Sequence, residues 1–451
     1  MCPLNPGKIT LPDDLPREEI IHDLTEEEKH CCHCHKALPA MGADTSEELT
    51  IIPEQVKVIR HIRKKYGACD CDGTYQEENY GVKIAAIPER IIPQSIVSPS
   101  LLAYTITAKY QDGLPFYRQS KQFERRGIDL PRATLCNWAL KAAEKCAPMI
   151  ELLNEKIKAS PLLQIDETKV QVLHEPGRAA STQSYMWVRR GQVEGKIIVL
   201  YHYSTTRSKE TAQALLKDYR GYLQSDDYGG YDEVGRQEGV IHVGCMAHAR
   251  RKFIEAKKVS GNQPGLADEA LRYIRELYQI EKELRVKLNE NEFSTDEFVR
   301  KRKDRAGPIM SVYHRWLKKQ KKDVPPQCKL GQAINYSLNN WIKLERYLEA
   351  DYLTPDNNLV ENAIRPFVIG RKNWLFSNTP RGAHASACLY SIVETAKANG
   401  LEPYHYLNYL FTHLPAAKDN AAIEALLPTK VNPKNIIALT QPLPSGEGFN
   451  L

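Results

Sequence analysis

The chain contains no uninterrupted apolar run of about 18 residues, the length a membrane-spanning helix requires, so a membrane protein is not expected. Its first residues, MCPLNPGKITLPDDLPREE, hold no apolar segment of the kind a secretory signal needs. The expected location is therefore the cytoplasm. Internal repeats are absent, and so is any large excess of one charge. Lys and Arg number 62 against 56 Asp and Glu, which leaves a net +6. That mild basic bias is compatible with a nucleic-acid partner without being diagnostic of one. The eleven cysteines are an odd number, and four of them form two close pairs. In a chain without an export signal such pairs read as metal ligands rather than disulfides.

What is present is ordinary globular material: 42% hydrophobic and 26% charged residues over 451 positions. At roughly 150 residues per domain this length suggests about three domains. Residues 1–29 are polar and Pro-rich and read as an arm. Residues 30–75 carry the cysteine pairs around TIIPEQVKVIRHIRKKY, where alternating aliphatics suggest short strands with Lys and Arg outward. Residues 76–99, with Pro88, Pro93 and Pro99, read as a linker. Residues 100–158 read as helices. SPSLLAYTITAKY opens at a Ser cap, RQSKQFERRG stops at Gly127, and a further helix opens near Pro131, which is the helix-turn-helix order.

From residue 159 the pattern changes. PLLQIDETKVQVL, SYMWVRR and KIIVLYHYS are strand-like, followed by a helix, a strand at GYLQSDDYGGY, a strand at VIHVGCM and the basic helix AHARRKFIEAKK. This is a mixed α/β order. Residues 262–350 read as a charged all-helical insertion and 351–415 as apolar helices. Residues 416–451 are expected to form a tail, structureless from Leu427 onward.

Three acidic residues stand out, and each alone has a duller explanation. Asp166 follows LLQI within a strand, where Asp fits poorly, so a metal ion, a bulge or a strand end must compensate it. Asp226 precedes Tyr-Gly-Gly, which is ordinary turn chemistry. Glu361, in PDNNLVENAIRP, would be the N3 residue of a capping box if Asn358 were the N-cap, or the partner of Arg365 one turn on. Together they change the reading. In an RNase H-like sheet the first and fourth strands are neighbours, so Asp166 and Asp226 would converge, and a later helix can bring Glu361 to the same edge. Three hard oxygen ligands suit two Mg²⁺ ions acting on a phosphodiester.

The sequence resembles the transposases of the insertion sequence 66 family from about Leu11 to Pro428. The resemblance rests on DNNLVENAIRPFVIGRKNWLFSNTPRGAHASACLYSIVETAKANGLEPYHYL at 356–407, on CMAHARRKF at 245–253, and on LQIDET and SDDYGGY. It implies an α+β multidomain chain: a small zinc-binding module, a helix-turn-helix-like helical domain, and an RNase H-like mixed α/β catalytic domain (159–415) with an all-α insertion. It implies a DDE triad of Asp166, Asp226 and Glu361 with Asp227 a bystander, and metal-dependent cleavage and strand transfer at element ends. The implied cofactor is two Mg²⁺ ions, with Mn²⁺ as a substitute. Implied partners are double-stranded DNA, the terminal inverted repeats and target DNA, a second copy of the chain, and companion proteins of the element. The alternatives are a catalytically decayed copy that only binds DNA, and an RNase H-like nuclease. Family members carry a longer segment before the cysteine region, and the last residues here match none of them, so truncation at one or both ends is expected.

Cys31-x-x-Cys34 and Cys69-x-Cys71 offer four thiolates to a tetrahedral Zn²⁺, with Cys32, His33 and His35 as alternative ligands. Cys245-x-x-His248 supplies too few ligands for a second metal, and a structural role is favoured there. For DNA, His248, Arg250, Arg251 and Lys252 on one helix are expected phosphate contacts. Arg365, Arg371 and Lys372, with Asn373, flank the glutamate and read equally as a clamp on the phosphate being transferred and as structural partners of nearby acids. Arg125, Arg126 and Arg132 are expected to lie along DNA from the helix-turn-helix. Trp374 is expected in the core.

Overall fold

The computed structural model describes residues 29, 35–36, 55–66, 83–260 and 265–437. The cysteines expected to hold zinc, Cys31, Cys34, Cys69 and Cys71, lie outside the described residues. The chain divides into two compact units, residues 1–86 and 87–451. In the first, β1 (Lys65–Tyr66) pairs antiparallel with β2 (Lys83–Ile84), with Lys65 opposite Ile84. Residues 55–64, where strands were expected, are exposed and form no strand, although the Lys64 carbonyl accepts from the Ala85 amide (3.1 Å).

The second unit opens on Ile91, Ile92 and Val97, all nearly inaccessible. The latter part of the expected linker is therefore core. Helix α1 (Pro99–Tyr110) starts where Ser98 Oγ accepts from the Leu101 amide, as the Ser cap predicted. Helix α2 (Phe116–Arg125) is stopped by Gly127 at φ +74°, a left-handed position that a side chain would strain. Helix α3 (Arg132–Ile157) follows directly. These three helices do not enclose a core of their own. Leu102, Ile106, Leu135, Trp138 and Met149 belong to the same apolar cluster as the sheet and the C-terminal helices. The expected boundary near residue 158 is thus not a break in packing.

The central sheet has the order β5-β4-β3-β6-β7. Its strands are β3 (Leu162–Gln171), β4 (Gln183–Val193), β5 (Lys196–Ser204), β6 (Gly221–Gln224) and β7 (Val240–Val243). The first three form an antiparallel meander, whereas β3, β6 and β7 run parallel. Helix α4 (Lys209–Leu215) makes the crossover from β5 to β6. Helix α5 (Met246–Ser260) leaves β7 at its carboxyl end.

The insertion is helical, as its strand-free sequence predicted: α6 (Leu266–Asn289), α7 (Thr295–Asp323), α8 (Lys329–Asn339) and α9 (Trp341–Glu345). It buries its own cluster, including Ile274, Leu277, Phe298, Tyr313 and Leu317, against Val243, Met246 and Phe253 of the sheet layer. Each such side chain removed from water contributes ~1.5–3 kcal/mol. At its centre Arg302, wholly inaccessible, donates to Glu281 (3.0 Å) and to the carbonyls of Tyr347, Ala350 and Leu353. The insertion thereby closes on the loop that returns the chain to the sheet.

That return is α10 (Asn358–Trp374), followed by α11 (Pro380–Ala398) and α12 (Pro403–His413). Helix α11 lies on β5: Thr395 and Ser391 hydroxyls accept from the amides of Val199 and Tyr201. Gly370 of α10 faces the Tyr390 hydroxyl so closely that a Cβ there would stand 2.6 Å from it. The tail departs from expectation. Helices α13 (Asn420–Ala425) and α14 (Pro433–Ile437) form, and Leu427, Val431 and Ile436 are buried in the main cluster. Sparse apolar residues in a Pro-rich stretch hid this, because each docks singly into an existing core. Residues 438–451 lie outside the described region.

Candidate active site

The site forms at the carboxyl ends of the parallel strands, where open α/β sheets present a crevice. Strand β3 outruns β6: their pairing ends at Gln164 opposite Gln224. Asp166 and Asp226 each stand two residues beyond that last pair, so the register brings them to one level at the sheet edge. The pair below is locked from the side, since Gln164 Nε2 donates to Gln224 Oε1 (2.8 Å) and Gln224 Nε2 to the Thr354 carbonyl (2.8 Å). Asp226 lies just past its strand. Its Oδ1 accepts from the Tyr228 amide (3.0 Å), so the turn chemistry is real, while Oδ2 stands 3.5 Å from Arg207.

Glu361 arrives on α10, and the loop before that helix is fastened at three points. Asn357 Nδ2 donates to the Ile165 carbonyl (3.1 Å), the Asn357 amide to Cys245 Sγ (3.3 Å), and the Met246 amide to the Pro355 carbonyl (2.7 Å). The N-cap is Asn357, not Asn358. Glu361 is therefore the fourth helical residue, one place too late for a capping box. Its carboxylate meets His248 Nε2 at 3.4 Å instead of pairing with Arg365. The hydrogen bond from His248, with the charges of His248, Arg251 and Arg365, holds Glu361 below the ordinary carboxylate range against the cost of burial.

Asp166 behaves oppositely. Burial, then the charges of Glu167, Asp226 and Glu361, push it up to about 7, opposed only by the Glu167 amide on its Oδ1 (2.8 Å). Asp226 and Glu361 thus act electrostatically on one carboxyl. A divalent cation would neutralise that repulsion. Among the described residues the Glu361 carboxylate groups within 4.8 Å with Cys245 and His248 and not with the two aspartates, so an oxygen-seeking ion such as Mg²⁺ held by all three acids would require Glu361 to turn toward them.

Two further residues complete the acidic floor, and sequence reasoning missed both. The Glu167 side chain is 1% exposed, and it is held by the Tyr231 hydroxyl and the Arg207 guanidinium. Arg207 bridges Glu167 and Asp226 while its guanidinium lies 3.9 Å from the Tyr228 ring centre. The only signal was the second acid in QIDET; Arg207 sits in a loop with nothing local to mark it. Behind Asp226, burial pushes His242 down to about 3, so it is neutral. Its Nε2 lies 2.8 Å from Ser225 Oγ, which donates to the Asp226 carbonyl (2.8 Å). Asp227, expected as a bystander, has its carboxyl raised by burial, partly relieved by Asn340.

Beside the carboxylates opens a cavity of about 390 Å³, whose wall mixes Asp226 and Asp227 with Arg207, His248, Arg251 and Lys252. Arg250 and Arg251 are exposed on α5, and Lys252 lies 4.8 Å from the Tyr336 ring centre. On α10, Arg365 and Lys372 are exposed, whereas Arg371 leans on β3 through Thr168 (3.5 Å). Trp374 is half-buried against Phe367. Arg125, Arg126 and Arg132 are all exposed at the α2–α3 corner, apart from this cavity's lining.

Fold and site together define a mixed α/β protein with acidic residues at the carboxyl side of the interior strands of a five-stranded sheet, rimmed by basic side chains and backed by a helical insertion. The comparisons with known proteins make this particular. The chain belongs to the IS66 transposase family: the family model described as Transposase IS66 family matches residues 94–385. The IS66 C-terminal element matches 391–429, which agrees with the folded helices found there. The zinc-finger binding domain of transposase IS66 matches 28–72, the region of the two cysteine pairs, and so indicates a zinc-finger domain there. Two proteins of Sinorhizobium fredii, both described as uncharacterized (y4jD and y4qI), are similar at 31% and 30% identity. Each similarity covers 93% of this chain, with 81% and 76% of the relatives' own lengths. Among the described residues no helix is long and apolar enough to cross a membrane.

Proposed function

We propose that this chain is a DDE-type transposase that cleaves insertion-sequence ends and transfers the strand to target DNA, on an RNase H-like sheet. The observation that carries the reading is the register of β3 on β6, which levels Asp166 with Asp226, together with the Asn357 tether that sets Glu361 of α10 over the same edge. Asp166, Asp226 and Glu361 are the residues that would hold two Mg²⁺ ions, or Mn²⁺ in their place. When bound, such a pair supplies activation of the attacking oxygen and charge stabilisation of the leaving one.

The chain's own residues do the rest. The Asp166 carboxyl, raised in the free protein, is poised to give up its proton as cations bind. Arg207, Arg251 and Lys252 offer phosphate contacts along the cavity, with Arg250 beside them on α5. Arg365, Arg371 and Lys372 present cations along α10 for the transferred phosphate. Arg125, Arg126 and Arg132 form a separate basic corner suited to the flanking duplex. His248 holds Glu361 and contacts the DNA backbone. The finger, with Cys31, Cys34, Cys69 and Cys71 as zinc ligands, reads further duplex. Synapsis of two ends calls for a second copy of the chain, and companion proteins of the element are further partners.

A strand-transfer assay with Mg²⁺ on DNA carrying the element's inverted repeats tests this. Joined products from the wild type, absent with Asp166→Asn, support it. Cleavage without joining would mean a nuclease, and binding without cleavage a decayed copy.

A further inference from the structure

CxxH alone offered two ligands; folding adds a third. Cys245 Sγ, a His248 ring nitrogen and a Glu361 carboxylate oxygen all lie within 4.8 Å of one another. Tetrahedral zinc with Zn–S near 2.3 Å and Zn–N or Zn–O near 2.0–2.1 Å places one sulfur, one nitrogen and one oxygen about 3.3–3.6 Å apart. The His248–Glu361 separation is already 3.4 Å. Small side-chain movements would close the remainder.

We infer that Cys245, His248 and Glu361 form a second site for a borderline transition-metal cation of the Zn²⁺ class, distinct from the carboxylate site for Mg²⁺ and sharing Glu361 with it.

Three observations support this. First, the donor set is one thiol, one imidazole and one carboxylate. That mixture selects zinc or cobalt over magnesium, which takes oxygens alone. Second, the Asn357 amide is directed at the sulfur at 3.3 Å, while the His248 amide in the first turn of α5 donates to the Cys245 carbonyl (3.2 Å). The Asn357 amide favours the thiolate, but burial outweighs it and pushes the Cys245 thiol up to about 11, so the cation itself must displace the proton. Third, His248 also lines the 390 Å³ cavity, so a fourth coordination position is open to water or substrate. On binding, the thiol proton is released to solvent and one sulfur–metal bond forms.

The consequence, which rests on the transposase reading, is competition. A cation held by Cys245 and His248 draws Glu361 away from the edge it would share with Asp166 and Asp226. Zinc at this site then opposes magnesium-dependent chemistry instead of assisting it.

The test uses the purified full-length chain, loaded with Zn²⁺ in the presence of Mg²⁺ and freed of excess. Wild type is expected to retain about one more zinc per chain than Cys245→Ser or His248→Asn, with the finger's metal common to all three. Exchange into Co²⁺ should give a thiolate-to-cobalt charge-transfer band that loses intensity in Cys245→Ser. Equal zinc content in wild type and both variants, each folded by circular dichroism, would overturn the site. Should Cys245→Ser fail to fold, His248→Asn and Glu361→Gln carry the count. In strand transfer, zinc should depress the wild-type rate by about tenfold or more, that is by at least about 1.4 kcal/mol in effective barrier, and Cys245→Ser far less. Equal zinc sensitivity would overturn the competition. Metal content needs no activity, so a chain that binds this zinc yet transfers no strand in Mg²⁺ even with the site left free of zinc would sink the transposase reading and leave the site standing.

Discussion

Asn357 donates from its side chain to the carbonyl of Ile165, the residue immediately before Asp166, across 3.1 Å. This bond joins the N-cap of the helix bearing Glu361 to the strand bearing Asp166, although 192 residues separate the partners. It also satisfies a β3 carbonyl at the level where β6 has ended, a group whose burial would otherwise cost ~1–3 kcal/mol. Asn357→Ala is expected to leave the fold intact, lower stability by about 1–2 kcal/mol in urea unfolding, and loosen Glu361 from the edge. A parallel fall in divalent-metal affinity, read by calorimetry, checks the second effect.

Asp166→Asn, Asp226→Asn and Glu361→Gln are each expected to reduce metal-dependent strand transfer by at least on the order of 10²–10³-fold. Circular dichroism should be unchanged, since all three side chains are only partly buried. Full activity in any one of them would remove that residue from the proposed triad.

The raised Asp166 carboxyl makes stability depend on pH in a set direction. Its folded pKa of about 7 lies above the ordinary 3.8. The unfolded chain therefore gives up this proton first, and the contribution is full below pH ~4 and is lost as pH rises through ~7. Metal-free Asp166→Asn should melt several degrees above wild type at pH 8, with the difference shrinking below pH ~4. Added Mg²⁺ should raise the wild-type melting temperature at pH 8 and the variant's much less. A constant difference across pH would contradict the assignment.

Arg207 neutralises the nearly inaccessible Glu167 from a position 36% open to solvent. Arg207→Ala should cost about 1–2 kcal/mol, less than the 3–5 kcal/mol of a fully buried pair because water screens the exposed side. Adding Glu167→Gln to it should recover much of the loss, and a double-mutant cycle in urea measures the coupling. The same Arg207→Ala change, if Arg207 contacts phosphate, should weaken DNA binding and flatten its salt dependence by about 0.9 in the log–log slope.

Arg302 offers a test of the insertion. Truncation to Ala leaves the Tyr347 and Ala350 carbonyls without their donor and Glu281 and the Leu353 carbonyl with Arg285 alone, an expected loss of about 3 kcal/mol. Arg302→Lys should recover little, because one ammonium cannot reproduce the planar fork. Thermal melts of the two variants should nearly coincide.

Much of this protein follows from sequence alone, because local rules operate over a few residues. Ser98 as a cap, Gly127 as a stop, the strand-free insertion and the β-β-β-α-β order each depend on neighbours within about ten positions. The long motif around Glu361 and CMAHARRKF carried the family. Tertiary structure decided the rest. It moved the N-cap to Asn357 and gave Glu361 to His248 instead of Arg365. It folded the chain past Leu427 onto a core already built, and it put Arg207 between two carboxylates from different strands. It also turned a two-ligand CxxH into a three-ligand cluster. These outcomes depend on which distant groups meet at the end of β3, and pairings across about 20–200 residues leave no periodicity for a sequence to show. The sequence determined most of the elements between residues 99 and 413 and which acids are available. Where those acids point, and what neutralises them, was settled only when the register of β3 on β6 and the closing of α10 brought their electrostatic fields together.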